Sequence, residues 1–339
     1  MDRKVLIHVG FPKTGTTFLQ RRFFPLLPGA RYLDPESEDG GFLADFFERL
    51  CYHPVSQPFL DETRKRFETL LEGLGEHRVA VSRESLTGNP FEDFANLEKI
   101  CAGLRYVFGK ADIVVVIRRQ ADFLNSLYVH SVARGCFKSL HKFLNIRRGE
   151  FGRRRPVQEH PGIDGENLAV GELNYLRVYE TYARHFGEEK LHCLLFEQMR
   201  RDLGSFSTNL AALFGEDPPP GLDVTARRNP SMSRTAAVLI RFLNRFAALE
   251  RNPLPLVPLG HRKPDPKGKV SRGTMLVGKT LRKLSLRSLG KLLSALLPSG
   301  GKFVDGELAR RIMALHAESN RELFRRAGLR LPEHGYFEA

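Results

Sequence analysis

Residues able to do chemistry gather first in "HVGFPKTGTTFLQ", His8 to Gln20. Gly10 and Gly15 have the spacing of a phosphate-binding loop, G-x-x-x-x-G-K-[ST], and Thr17 stands where its hydroxyl residue belongs. The lysine does not fit that pattern. Thr16 takes its position, and the loop's only lysine is Lys13, three residues early. Successive backbone N–H groups from Gly10 to Thr17, with the positive end of a following helix, make an anion site. Thr16 and Thr17 add hydroxyl donors, and Lys13 supplies a point charge on a flexible stem.

A second group stands at the end of "DIVVVI", Asp112 to Ile117, which runs straight into Arg118 and Arg119. Enzymes that split nucleoside triphosphates through such a loop place an acid near there to hold Mg²⁺. A guanidinium cannot ligate a metal, but it can hold a phosphate by paired hydrogen bonds. The displaced lysine and the missing acid point the same way, to a highly anionic ligand handled without a divalent ion.

The elements that must position these groups follow from the apolar pattern. Lys4–Val9, Arg78–Ser82, Asp112–Ile117 and Lys190–Phe196 read as strands, the third apolar and β-branched enough to be covered on both faces. Helical patterns lie between them, among them Thr16–Phe24, Phe91–Leu104, Ala121–Arg134 and Gly171–Phe186. Alternation of this kind predicts an α/β fold: a doubly wound parallel sheet of the phosphate-loop type, flanked by helices, with ligands beyond the carboxyl ends of the strands. After Gly215, "GEDPPPG" marks a linker. Helices are then expected over Ser231–Leu249, Met275–Leu297 and Val304–Ala327, separated by the Pro- and Gly-rich "NPLPLVPLGHRKPDPKGK". The expected organisation is a nucleotide-binding core over 1–215 and a helical C-terminal part over 216–339 that completes the donor and acceptor cleft.

The bulk numbers exclude several classes. With 339 residues, 42% hydrophobic and 27% charged, this is the composition of a globular chain that can bury a large core. No run approaches 18 apolar residues, and "MDRKVLIHVGF" is too short and too soon interrupted to read as a leader. Cys51, Cys101, Cys136 and Cys193 are scattered, which speaks for reduced thiols in the cytoplasm rather than zinc or a disulfide framework. The net charge of +14 is concentrated: Arg262 to Lys291 holds ten Lys and Arg against one acid, Asp265. Within the basic segment 261–297, "MLVGKTLRKLSLRSLGKLLSALLP" alternates leucines with cations, a pattern able to meet an anionic membrane at its surface. No nucleic-acid module and little aromatic interleaving accompany the charge, so no nucleic-acid partner is expected.

Taken in order, these segments resemble the sulfotransferases that use 3′-phosphoadenosine 5′-phosphosulfate (PAPS). "PKTGTT", Pro12 to Thr17, is similar to their 5′-phosphosulfate loop. "RRQADFLNSLY", Arg118 to Tyr128, is similar to their 3′-phosphate motif, with Ser126 eight residues after the arginine. "RRNPSMS", Arg227 to Ser233, resembles the segment that closes over the nucleotide, and Tyr175–Met199 resembles the helix and strand that return the chain to the sheet. One departure is Gln120, where the family often carries proline.

The resemblance implies roles residue by residue. Pro12, Lys13, Thr14, Gly15, Thr16 and Thr17 would bind the 5′ end of PAPS, Arg118 and Ser126 its 3′-phosphate, and Arg227, Arg228 and Asn229 would close over it. Lys13 would neutralise the leaving oxygen. No metal is expected. An acceptor hydroxyl needs a general base. Glu84 in "VAVSRES", just past the second strand, looks like the glutamate of carbohydrate sulfotransferases, and His53 is the next candidate. His8 and His130 read as structural, and Glu197 as a carboxylate at another strand end. The expected acceptor is a glycan, a glycolipid or another hydroxyl-bearing molecule. The competing readings are a kinase using ATP and Mg²⁺ and a basic nucleic-acid-binding protein.

Overall fold

The structure is a computed structural model, described over residues 5–74, 78–153, 168–222, 232–245, 286–298, 300–329 and 335–337. At its centre lie β1 (Val5–Gly10), β2 (Ala30–Leu33), β3 (Arg78–Glu84), β4 (Asp112–Ile117) and, late in the chain, Leu191–Leu195. They form one sheet in the order β2-β3-β1-β4 followed by Leu191–Leu195, every neighbouring pair parallel. The expected α/β fold is therefore present. Every residue of β1 and of β4 is buried, in keeping with sequences that are apolar apart from His8 and Asp112.

Each connection between parallel strands needs a crossover, and helices supply it. Alternate residues point to opposite faces. Leu6, Ala80, Val114 and Val116 pack on one face against Leu19, Phe23, Phe24, Phe206, Leu210 and Phe214. The last three come from α9 (Leu203–Ala212) and the turn after it. Among the remaining helices of the sheet region are α2 (Gly41–Tyr52), α3 (Gln57–Gly73), α4 (Leu97–Phe108), α7 (Tyr175–Phe186) and α8 (Phe196–Arg201). A cluster of Phe46, Phe47, Phe67 and Phe108, in edge and stacked contacts, ties α2, α3 and α4 together.

Local chemistry corrects several expected boundaries. The helix expected over Phe91–Leu104 forms as α4 at Leu97–Phe108. Before it, Asn89 caps a short 3₁₀ turn, and Asp93 and Phe94 take positive φ, which no helix permits. α7 starts at Tyr175 rather than Gly171 because the Asn174 side chain accepts from the Arg177 N–H. The helix after the loop begins as α1 (Thr16–Phe18), widens to a π turn over Leu19–Phe23 and tightens to a 3₁₀ turn at Phe24–Leu26, where Pro25 ends it.

The chain divides into two compact units, one of residues 1–120, 172–227 and 313–339, which contains the sheet, and one of 121–171 and 228–312. The second includes most of α5 (Gln120–Ala133), α6 (Leu140–Phe143), and a small antiparallel hairpin of β5 (Ile146–Arg147) and β6 (Glu150–Phe151). It also includes α10 (Arg234–Leu243) and α11 (Leu286–Leu296). α12 (Gly306–Arg326) is the last helix. Leu191–Leu195, labelled β7, completes the sheet of the first unit. No helix among the described residues is long and apolar enough to cross a membrane.

Candidate active site

Three strands of the sheet unit bring the candidate residues to one edge. Gly10, the last residue of β1, is the register partner of Glu84 on β3 and of Val116 on β4. The glycine loop, Glu84 and the Ile117–Arg118 strand tip therefore emerge side by side, where the sheet order reverses around β1.

The loop is held in a strained shape. Lys13 has φ of 69°, a left-handed conformation that is uncommon for a residue with a Cβ and is stored chiefly at functional sites. Two bonds fix it. The Thr14 hydroxyl donates to the Phe11 carbonyl at 2.6 Å, and the Arg118 guanidinium donates to the Lys13 carbonyl at 3.1 Å. Arg118 in turn lies over the Phe196 ring at 4.8 Å, and its own carbonyl accepts from the Tyr175 hydroxyl at 2.8 Å. Gly15 has φ of 89°, a left-handed conformation that favours glycine, and a Cβ there would lie 2.6 Å from the Met199 sulfur and push that side chain aside.

Thr16 is buried, and its hydroxyl has no geometrically complete hydrogen bond among the described residues. It is nevertheless near enough to Glu84 to favour that residue's ionised form. Burial outweighs this help and pushes the Glu84 carboxyl above the usual carboxylate range, while the charges of Lys13 and Arg83 pull it back. A desolvated carboxylate facing an ammonium group at a strand tip is a suitable proton acceptor near neutral pH.

Beneath the loop, His8 is fully buried. Its Nδ1 meets Ser82 Oγ at 2.7 Å, and the Gln20 amide donates to the same oxygen at 3.2 Å. A neutral ring can accept at Nδ1 from the Ser82 hydroxyl, which itself accepts from Gln20. His8 Nε2 has no partner among the described residues. Burial lowers the His8 pKa from 6.5 to about 3. The unfolded chain therefore binds a proton there between those values and the folded chain does not, so folding stability falls as pH drops through this window. We expect a loss of about 1 kcal/mol per pH unit from this group as pH falls below 6.5 toward about 3. Denaturant titrations of wild type and His8→Gln at several pH values would show it as a difference in slope, and parallel slopes would refute it.

The other expected residues divide. Pro12 and Thr14 lie in the loop, and Thr17 is exposed in the first turn of α1. Ser126 is buried on α5, within the second unit. Arg227, Arg228 and Asn229 lie outside the described residues. His53 follows α2, and its carbonyl accepts from Lys99. Glu197 is engaged structurally: its carboxylate accepts from the Arg119 N–H at 3.0 Å and the Tyr336 hydroxyl at 2.9 Å. A depression of about 590 Å³ lined by Arg177, Thr181, Arg184 and Arg326 includes none of the loop residues; Arg184 and Arg326 are paired with Glu98, Glu180 and Glu188, and Arg177 donates to the Asp93 carbonyl.

No protein-family model and no curated protein matches the chain. Solved structures similar to it are sulfotransferases. One is the sulfotransferase from Alicyclobacillus acidocaldarius, 19% identical over 68% of this chain and 88% of that one, with a TM-score of 0.43. Another is the sulfotransferase domain of the Synechococcus PCC 7002 olefin synthase, 11% identical over 83% and 97%, TM-score 0.38. A third is mouse sulfotransferase SULT7A1 complexed with PAP, 14% identical over 87% and 89%, TM-score 0.34.

Sequence reasoning missed the supports of the site. Gln120 is fully buried and exchanges two amide hydrogen bonds with Asn320, at 2.7 and 3.1 Å, and Asn320 also donates to the Tyr336 carbonyl. Arg119 Nε donates to the Gly335 carbonyl. The chain's last residues thus tie down the tip of β4, through partners about 200 positions away that no local pattern announces.

Proposed function

We propose that this protein is a sulfotransferase, moving a sulfuryl group from PAPS to the hydroxyl of an acceptor. The observation that supports this most is the company at one sheet edge: a glycine loop bearing Lys13, an arginine at the β4 tip in place of a metal-binding acid, and the desolvated carboxylate of Glu84. The donor carries roughly four negative charges, counting each phosphate at its usual ionisation. The loop N–H groups, Lys13, Thr16 and Thr17 suit its 5′ end, and the Thr16 hydroxyl, buried without a full hydrogen bond, is the kind of group a ligand oxygen satisfies. Arg118 and Ser126 are assigned to the 3′-phosphate, and Arg227, Arg228 and Asn229 to closure over the nucleotide. The core over 1–215 binds the donor in this reading, and 216–339 completes the cleft.

In the reaction the acceptor oxygen attacks sulfur in line. The bond from sulfur to the bridging oxygen breaks, and charge builds on that oxygen as it departs with the 5′-phosphate. The Lys13 ammonium neutralises it, and Glu84 takes the acceptor's proton. The acceptor class proposed is a sugar hydroxyl of a glycan or glycolipid, on the strength of the Glu84 resemblance.

The test has two arms. Incubation with PAPS carrying labelled sulfate and a panel of glycans, glycolipids and phenols should label a hydroxyl acceptor. Ligand bound only to the native state raises its melting temperature by mass action. Adenosine 3′,5′-bisphosphate should therefore raise Tm without added metal. Stabilisation by ATP with Mg²⁺ alone would favour a kinase instead.

A further inference from the structure

Nine large hydrophobic side chains are exposed among the described residues, and six of them sit on two neighbouring helices of the second unit. α10 contributes Val238, Leu239, Phe242 and Leu243, and α11 contributes Leu292 and Leu296. The helices touch through Ser233, whose N–H donates to Ser294 Oγ at 2.9 Å, and through Met232, whose methyl lies 2.6 Å from where a Cβ on Gly290 would be.

α10 has two apolar stripes. Ala236, Ala237 and Ile240 face inward and are fully buried, followed on that side by Asn244, whose amide donates to the Val132 and Cys136 carbonyls. At 100° per residue, Val238, Leu239 and Phe242 lie on the opposite side. On that side Val238, Leu239 and Phe242 are 39%, 43% and 55% exposed, although the helix is already anchored by the first stripe. On α11 the contact face carries Gly290 and Ser294, while Leu292 and Leu296, one turn apart, are 54% and 70% exposed.

Charge decides what such a face suits. Residues 232–245 and 286–298 hold Arg234, Arg241, Arg245, Arg287 and Lys291 and not one Asp or Glu. A protein partner with an acidic surface would match the cations but would leave the protruding leucines in water. An anionic bilayer satisfies both, because its headgroups take the cations while the acyl boundary takes the apolar stripe. The chain between the two helices, 246–285, adds nine Lys and Arg against two acids.

We infer that α10 and α11 form a surface that binds anionic lipid membranes, seating Phe242, Leu239, Leu292 and Leu296 at the acyl boundary. This stands apart from the catalytic reading, since none of these residues belongs to the sheet edge, and it holds whatever the enzyme transfers.

The full-length protein should co-sediment with vesicles of phosphatidylcholine and phosphatidylserine, should bind phosphatidylcholine alone much more weakly, and should release as salt rises. Burying one large apolar side chain shifts a partition by roughly tenfold or more. Leu239→Ser with Phe242→Ser should therefore weaken vesicle binding by at least about tenfold. Both positions are exposed, so Tm and binding of adenosine 3′,5′-bisphosphate should hold. Equal vesicle binding by the double variant would overturn the inference, as would failure of the wild type to bind. A wild-type dimer in solution that the double variant converts to monomer would assign the face to a second copy of the chain. An environment-sensitive dye at Leu296→Cys that reports an apolar setting before vesicles are added would assign it to the chain's own 246–285 segment.

Discussion

Lys13→Ala should lower kcat by about 10²–10³-fold, the range observed when one preorganised donor to a developing oxyanion is removed. Affinity for adenosine 3′,5′-bisphosphate should fall far less, because the loop N–H groups and the threonine hydroxyls remain. The asymmetry follows from where the charge appears. In the ground state the bridging oxygen shares its electrons with sulfur, and only as the bond breaks does it acquire the charge that an ammonium group stabilises. The backbone makes the experiment unusually clean. At φ of 69° lysine and alanine both carry a Cβ and suffer the same left-handed strain, so the substitution removes the ammonium without changing the conformational balance of the loop. The Arg118 bond to the residue 13 carbonyl is to backbone and survives as well. Single-turnover rates and calorimetric nucleotide affinity measured together decide the matter. A variant that turns over near the wild-type rate takes Lys13 out of the chemistry.

The loop and its neighbours were legible because their signals are local. β1, β4 and β7 are unbroken or near-unbroken apolar runs that end abruptly in loop residues, and the glycine spacing sits at the end of the first. Glu84 and Arg118 could be placed at the same edge because parallel strands all point one way. β2 could not be seen. Only Leu33 of Ala30–Leu33 is fully buried, and an edge strand pairing on one side needs no apolar pattern. The strain at Lys13 was equally invisible, since positive φ in a lysine is imposed by Thr14, Arg118 and the packing around Gly15, not by the residue itself. Gln120 shows the general limit. In sequence it is a departure from a family pattern. In the fold it is half of a buried amide pair that clamps the strand tip carrying Arg118, and its partner Asn320 lies two hundred residues on.

Glu84→Gln should lower kcat by about 10²–10⁴-fold, the usual contribution of a positioned proton acceptor, with nucleotide affinity unchanged. The same burial that raises the Glu84 pKa makes a second, opposite expectation. The active form is the carboxylate, so the rate should rise with pH through a limb lying above the ordinary glutamate range. For stability the sign reverses. A carboxyl whose folded pKa is raised favours folding most when protonated, below its unfolded pKa, and that contribution is lost as pH rises through the folded pKa. At neutral pH the wild type therefore holds a carboxylate that weakens the fold, and Gln, neutral and nearly the same shape, should raise Tm while suppressing turnover. Activity lost and stability gained from one substitution is the mark of a group kept for chemistry rather than packing. Arg83 tests the electrostatics separately. Its guanidinium lowers the Glu84 pKa, while its ion pair with Glu48, at 3.7 Å and largely in solvent, contributes little to the fold. Arg83→Gln should move the acidic limb of the pH–rate profile further upward with kcat at its plateau preserved. If Glu84→Gln instead keeps its rate and its pH profile, the proton goes elsewhere, and His53 at the end of α2 is the side chain to replace next.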